Sequence, residues 1–353
     1  MNFDLDENQS LFKATVERFA ASANVPTRHK TRKQPGGFNR ERWREMAKLG
    51  LIAIAGTEAD GGLGGSLIDC AIVAQALGKA QAVEPWLECG FLGARLLAGT
   101  AHAADILSGE AVAAFAFAEP NRRFALDAVS MQARAAGDGF ILSGGKHFVL
   151  SGAVADLFVV TAKLGDETAL FVVSRDAKGV DAKPYPVVDG SFATVLTLRD
   201  VAANALLSNG AARLAQAISD GRLIASAEMV GIARRLFDDT LDYVKTREQF
   251  GQPIGRFQVI QHRMVDCYAK VEQMQSALYR HLLKDGPSQH DVQGLKAFIG
   301  ESALWIAHQA VQLHGGMGMS DELGIGHGLK RIMLLSKLFG DPASDLAAFA
   351  KAD

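Results

Sequence analysis

The sequence is short of sulfur. Its 353 residues include three cysteines, Cys70, Cys89 and Cys267. None stands in a CxxC spacing, so neither a disulfide framework nor a thiol–metal knuckle is expected, and the thiols suit a reducing cytosol. Nine histidines occur without an HExxH motif or a His/Cys cluster, so no metal site is expected. Long apolar runs are also missing. The longest of note, residues 111–118, fits one buried strand, whereas a bilayer span needs roughly 18 residues or more. Charge of one sign is not in excess: 37 Lys+Arg face 39 Asp+Glu, a formal net charge of −2. That balance excludes a coat for nucleic acid or for an anionic membrane. Asp4, Asp6 and Glu7 precede any basic residue and no apolar h-region follows, so no signal or transit peptide is expected. The expectation is a cytoplasmic protein with no membrane span.

What the sequence has is length. At roughly 150 residues per domain, 353 residues divide into two or three domains. The hydrophobic fraction of 48% and charged fraction of 22% suit a globular interior and surface. Residues 1–110 read as helical. Over 9–21, Leu11, Phe12, Val16 and Phe19 fall on one helical face, and over 40–49 Trp43, Met46 and Leu49 do the same. Residues 56–66 are a loop by composition, and helical patterning resumes over 67–77 and 91–97. The basic cluster 27–33 lacks interleaved aromatics and reads as a solvated loop.

From 111 to 205 the texture is that of strands. Residues 140–142, 148–150, 157–162, 169–173 and 194–198 are short, apolar and rich in Val and Phe. The dipeptides Asp138-Gly139, Gly144-Gly145 and Asp189-Gly190 read as turns between them, which predicts an antiparallel sandwich or barrel. From 206 to 353 the helical period returns. Ala233, Phe237, Leu241 and Val244 lie on one face; residues 247–258 form a Gly/Pro-rich loop; helices follow over 259–283 and 292–313. Gly315-Gly316 is a plausible stop for the last.

Two segments carry candidate chemistry. HGGMG (314–318) follows a helix rather than a strand, so it is no dinucleotide fingerprint; its backbone amides could cradle a pyrophosphate, or it could be a helix stop. The loop 247–258 joins a guanidinium, Arg247, to two aromatics, Phe250 and Phe257, and an amide, Gln258. Arg pairs bidentately with phosphate and an aromatic covers an adenine or flavin face, although a plain surface loop has the same composition.

YVKTREQFGQPIGRFQ (243–258) and QLHGGMG (312–318), with GGKHFV (144–149) and the helix–β–helix order, strongly resemble the acyl-CoA dehydrogenase family. The last stretch, from Gly324 to Asp341, resembles most the small subunits of two-component members such as pimeloyl-CoA dehydrogenase. The resemblance implies an α+β fold with an N-terminal helical domain (1–110), a middle β-sandwich or barrel domain (111–205) and a C-terminal four-helix bundle (206–353). It implies bound FAD and oxidation of an acyl-CoA to the trans-2-enoyl-CoA, with an electron-transferring flavoprotein as acceptor. Arg247 would meet the FAD pyrophosphate across a subunit interface, with Phe250, Phe257 and Gln258 alongside. Gln312, Leu313, His314, Gly315 and Gly316 would hold the adenosine end. Glu119, Phe148 and Leu150 would fall beside the flavin, and Arg222, read as the start of a long helix, near the catalytic centre.

The sequence departs from the family at three places. The residues after Glu119-Pro120 are Asn121, Arg122 and Arg123 instead of small ones. Phe148-Val149-Leu150 keeps an aromatic but loses the hydroxyl that would bond the flavin ring. Phe339 stands where the catalytic Glu is expected, and the alternative family position, before Arg222, is Gly221. Asp341 is the nearest substitute base, or else an acid of the turn Gly340-Asp341-Pro342; Glu228, two turns beyond Arg222, is a further option. Three functions remain open: small subunit beside a large acyl-CoA dehydrogenase subunit, self-sufficient homo-oligomer with Asp341 as base, and non-catalytic structural paralogue. The substrate would carry a bulky or polar acyl group, such as a dicarboxylyl or steroid side chain.

Overall fold

The computed structural model describes residues 5–120, 128–137, 139–203, 205–207, 209–284 and 286–351. Asn121, Arg122, Arg123 and Asp138 therefore lie outside the described residues. In chain order the elements are α1 (Glu7–Ala20), α2 (Val25–Arg32), α3 (Arg40–Lys48), α4 (Leu67–Ala80), α5 (Leu92–Leu96) and α6 (Ala103–Leu107). The strands β1 (Ala113–Ala116), β2 (Gln132–Ala136), β3 (Gly139–Leu150), β4 (Leu157–Leu164), β5 (Glu167–Ser174), β6 (Val180–Pro186), β7 (Phe192–Ala203) and β8 (Ala205–Leu207) follow. Then come α7 (Gly210–Thr246), β9 (Glu248–Gln249), β10 (Gln252–Pro253), α8 (Gln258–Leu282), α9 (Gln289–His314), α10 (Gly324–Leu335) and α11 (Pro342–Phe349). No described helix is long and apolar enough to cross a membrane. The chain forms two compact units, one of residues 1–29, 67–82 and 222–353, the other of 30–66 and 83–221.

In the first unit, α1 opens on a capping box in which Asp6 accepts from the Gln9 amide and the Gln9 side chain accepts from Asp6. Its buried residues are Val16, Phe19 and Ala20; Leu11 is exposed, so the apolar face is narrower than the spacing predicts. Helix α9 packs on α8, α10 and α11 and is the central element of the C-terminal helices. The basic cluster read as a loop is helix α2. Asn24 Oδ1 accepts from the Thr27 amide at its start, and the Arg28 guanidinium donates to Gln81 O at 2.9 Å, giving the charge a buried partner that composition does not show.

In the second unit the strands form one eight-stranded sheet among the described residues, ordered β6-β7-β3-β2-β4-β5-β8, with β1 beside β4. It is not wholly antiparallel: β1 and β2 both run parallel to β4. Alternate residues Phe158, Val160 and Ala162 of β4, with Phe171 and Val173 of β5 and Leu196 and Leu198 of β7, point into one core. Gly144-Gly145 is not a turn. Strand β3 runs through it, paired with β7, with register shifts between Leu142 and Gly144 and between Lys146 and Val149. Gly144 has φ +147°, and a Cβ there would meet the Met131 Cγ at 2.9 Å, so the glycine serves a bulge.

Candidate functional site

In the second unit, Lys146 of β3 is wholly buried. Its Nζ donates to Glu119 Oε1 at 2.6 Å and to Thr161 Oγ1 at 2.7 Å. Glu119 also accepts from the Ser130 amide at 2.8 Å, from the Met131 amide at 3.1 Å and from the Ser130 hydroxyl. Burial pushes the Glu119 carboxyl up, but the bonds from Lys146, Ser130 and Met131 outweigh it and hold the pKa at about 2. Burial draws the Lys146 ammonium down to about 8 against the pull of Glu119. The Glu119 carboxylate is thus directed into a buried network. Phe148 lies at the second register shift of β3, with φ +53° and its ring part-exposed; the Leu150 side chain is buried.

The first unit carries the remaining residues. Arg222 is not at a helix start: α7 begins at Gly210, and twelve residues are about three turns. From that buried position its Nη2 donates to the Phe339 carbonyl oxygen at 2.6 Å and lies 3.5 Å from Asp345 Oδ1. Asp345, on α11, also pairs with Lys296 of α9 at 3.2 Å. Lys296 Nζ, fully buried, donates further to Gly340 O at 2.6 Å and Ser336 O at 3.0 Å. Burial draws the Lys296 ammonium down to about 8, opposed by Asp345, and burial likewise pushes Asp345 up, opposed by both cations. This cation–anion–cation cluster holds the 336–340 segment. Phe339 is buried at φ +63°; Gly340 has φ +146°, and a Cβ there would meet Asp345 Oδ1 at 2.3 Å.

Asp341 is the N-cap of α11: its Oδ1 accepts from the Ser344 amide at 2.8 Å, and its own amide donates to Ser344 Oγ at 3.0 Å. Glu228 is paired with Arg331, Oε1 to Nε at 2.7 Å and Oε2 to Nη2 at 3.2 Å.

The Gly/Pro-rich loop 247–258 contains a small hairpin, β9 against β10. Phe250 at its tip is 92% exposed and meets Phe257 edge-on at 6.1 Å. Phe250, Phe257, Ile260, Arg263, Gln312 and Leu313 line a cavity of about 360 Å³. Arg247, Gln258 and Gln312 are exposed, and Leu313 is buried. His314 is buried, with Nδ1 bonded to Ala310 O at 2.8 Å and its ring stacked on Tyr243 at 4.2 Å, so it supports the turn from behind. Gly315, at φ +60°, and Gly316 are exposed, and a Cβ on either would meet nothing within 4 Å. An exposed cation, an open aromatic, a cavity and a bare glycine turn fit the pyrophosphate and adenosine of FAD. The middle-unit positions fit less well, because Leu150 has no ring-directed side chain and Glu119 is otherwise engaged.

Lys296, Asp345 and Thr161 are not singled out by the sequence, and Lys146 stands there only as part of the GGKHFV motif. A lysine inside an otherwise apolar helical face, as Lys296 is with Val292, Ile299 and Gly300 at helical spacing, is the signal that marks such a buried charge.

The chain matches three family models: acyl-CoA dehydrogenase, N-terminal domain, over 6–100; middle domain, over 114–201; and C-terminal domain, over 208–351. It is similar to the probable acyl-CoA dehydrogenase YngJ of Bacillus subtilis (strain 168), 29% identical over 98% of this chain and 97% of that one. It is 30% identical to the mitochondrial 2-methylacyl-CoA dehydrogenase of Solanum tuberosum, over 92% of this chain and 85% of the relative. Among solved structures it resembles a variant of the Tcur3481-Tcur3483 steroid ACAD, with a TM-score of 0.90, 27% identity, and coverage of 98% of this chain and 97% of that one.

Proposed function

This chain belongs to the acyl-CoA dehydrogenase family of FAD-dependent oxidoreductases, and from that premise we propose that it works as the small subunit of a heteromeric acyl-CoA dehydrogenase. The observation that carries this reading is Phe339. The resemblance puts the catalytic carboxylate there, and phenylalanine cannot accept a proton. The neighbouring acids do not replace it. Asp341 is spent on capping α11 and Asp345 on two buried cations. In this reading the large subunit's carboxylate takes the α-proton.

FAD, when bound, supplies the acceptor for the hydride that leaves the β-carbon. This chain's part is to hold it. Arg247 would pair with the pyrophosphate, Phe250 and Phe257 would cover an aromatic face, and the open turn at Gly315 and Gly316, whose first amide already donates to Gln312 O, would leave room for the adenosine end. Phe250 lines the cavity over α8 and α9 yet stays open to solvent, which suits a cofactor lodged partly in a partner subunit. The two-chain name of the steroid ACAD it resembles supports both a heteromer and a bulky acyl group. Electrons would leave to an electron-transferring flavoprotein.

The test is to purify the chain alone and co-expressed with a large acyl-CoA dehydrogenase subunit, then record visible spectra before and after anaerobic addition of steroid, dicarboxylyl and straight-chain acyl-CoAs. The small-subunit reading expects flavin bleaching only in the co-expressed complex. Bleaching by the chain alone would overturn it in favour of a self-sufficient enzyme. A complex that forms but turns over equally with Arg247→Ala would instead favour a structural paralogue.

A further inference from the structure

We propose that His29, Asp321 and His327 form a binding site for a divalent transition-metal ion of the Zn²⁺ class. The three side chains come from α2, from the loop before α10, and from the first turn of α10. One ligand atom from each lies within 4.8 Å of the other two. His29 Nε2 is 3.2 Å from Asp321 Oδ2, and His327 Nε2 is 3.6 Å from Asp321 Oδ1. A tetrahedral ion with ligand bonds of about 2.0–2.1 Å separates its ligand atoms by about 3.3–3.4 Å. The two separations are of that size but run to different oxygens of Asp321, so the carboxylate would bridge the imidazoles with both oxygens or turn to offer one, and the three ligand atoms, within 4.8 Å of one another, would draw in around the ion. The rings stand edge to face, centroids 6.0 Å apart at 78°, so the two imidazoles do not block one another by stacking.

The donor set decides the metal. Two imidazole nitrogens and one carboxylate suit Zn²⁺, Co²⁺ or Ni²⁺, whereas Mg²⁺ and Ca²⁺ prefer oxygen alone. The surroundings decide the role. His327 is 1% exposed on its side chain, Asp321 57% and His29 37%, so one ligand is fixed in the helical core and the carboxylate faces an entry path from solvent. His327 Nε2 also lies 3.1 Å from the Asp321 carbonyl oxygen, to which it can only donate, so an ion would bind there as that nitrogen gives up its proton. Three protein ligands leave a fourth position for water. An ion there would clip α2 to α10, two segments at opposite ends of the sequence, and would act on stability instead of on the thioester chemistry.

The experiment uses the full chain, stripped with a chelator and dialysed against Zn²⁺ alone. Metal analysis and thermal unfolding are read for the wild type, His29→Asn and Asp321→Asn. We expect about one Zn²⁺ per wild-type chain, a rise in Tm that tracks Zn²⁺ concentration, and a Co²⁺ adduct with visible d–d bands. Both variants are expected to lose the stoichiometric ion while the metal-free Tm stays near that of the wild type, since each removes only a part-exposed pair. Wild-type chain that takes up no ion, or variants that take it up equally, would overturn the site. If His29→Asn fails to fold, Asp321→Asn, at the most exposed ligand, decides alone.

Discussion

Arg222 Nη2 donates to the backbone carbonyl oxygen of Phe339 over 2.6 Å. The bond is to main chain, so the residue-339 segment is held by groups that do not depend on the side chain at that position. Asp345 lies 3.5 Å from the same guanidinium, and Lys296 closes the cluster through Gly340 O at 2.6 Å. In the proposed reading, the position where the resemblance expects the catalytic Glu is held through its backbone and carries no carboxylate.

The cluster makes a sharp prediction about stability. Lys296→Met leaves Asp345 buried with a weaker partner, and Asp345→Leu leaves two buried cations facing each other. Each single change is expected to cost about 3–5 kcal/mol, whereas Lys296→Met with Asp345→Leu should cost distinctly less than the sum of the two. Urea unfolding of the four proteins gives the coupling directly. Additive losses would mean that the three groups act independently.

Asp341 can be separated from catalysis by one substitution. Asn caps a helix about as well as Asp, whereas Ala loses about 1 kcal/mol. Asp341→Asn is therefore expected to keep both stability and turnover of the co-expressed enzyme, and Asp341→Ala to lower Tm alone. Turnover lost in Asp341→Asn at unchanged Tm would make Asp341 the base and return this chain to the self-sufficient class.

Much of this was legible in the sequence, and unevenly so. Helices α7, α8 and α9 repeat their apolar residues over many turns, so their period is plain in the chain itself. Helix α2 was not, because its stabilising partner for Arg28 is the carbonyl of Gln81, far away in sequence. Gly144-Gly145 misled for a related reason: two glycines signal a turn locally, and only pairing with β7 shows that they bulge a continuous strand. The motif residues Arg247, Phe250, Gly315 and Gly316 were legible because they are neighbours in sequence. Arg222, Lys296 and Asp345 come from three different helices and converge only when α9 has packed, which no spacing rule encodes.

Acid stability should report Glu119. Its pKa is held at about 2 in the folded chain, below the roughly 4.3 of an unfolded Glu. The unfolded state therefore binds the proton first as pH falls. The stabilisation is complete above about pH 4.3 and is lost progressively toward pH 2. Thermal unfolding followed from pH 7 to 3 should show wild type declining below about pH 4.5. Glu119→Gln should start lower, because Lys146 keeps a buried charge with a poorer partner, and its curve should be flatter over that range. Parallel curves would mean that other carboxylates set the acid limb.

Flavin retention separates holding from folding. Arg247 is exposed on the hairpin and makes no contribution to the core, so Arg247→Ala should leave the Tm of the isolated chain unchanged. In the proposed assembly the same change would remove a charge-assisted bond to phosphate, worth about 1.5–3 kcal/mol, or roughly ten- to a hundredfold in FAD affinity. Glu119→Gln is the opposite case: it weakens a buried network and should lower Tm, with flavin content following only as the protein unfolds. Measuring flavin-to-protein absorbance after gel filtration of the co-expressed complex distinguishes the two. If Arg247→Ala retained full flavin while Glu119→Gln lost it at a temperature where both are folded, the cofactor would depend on the β unit and not on the hairpin.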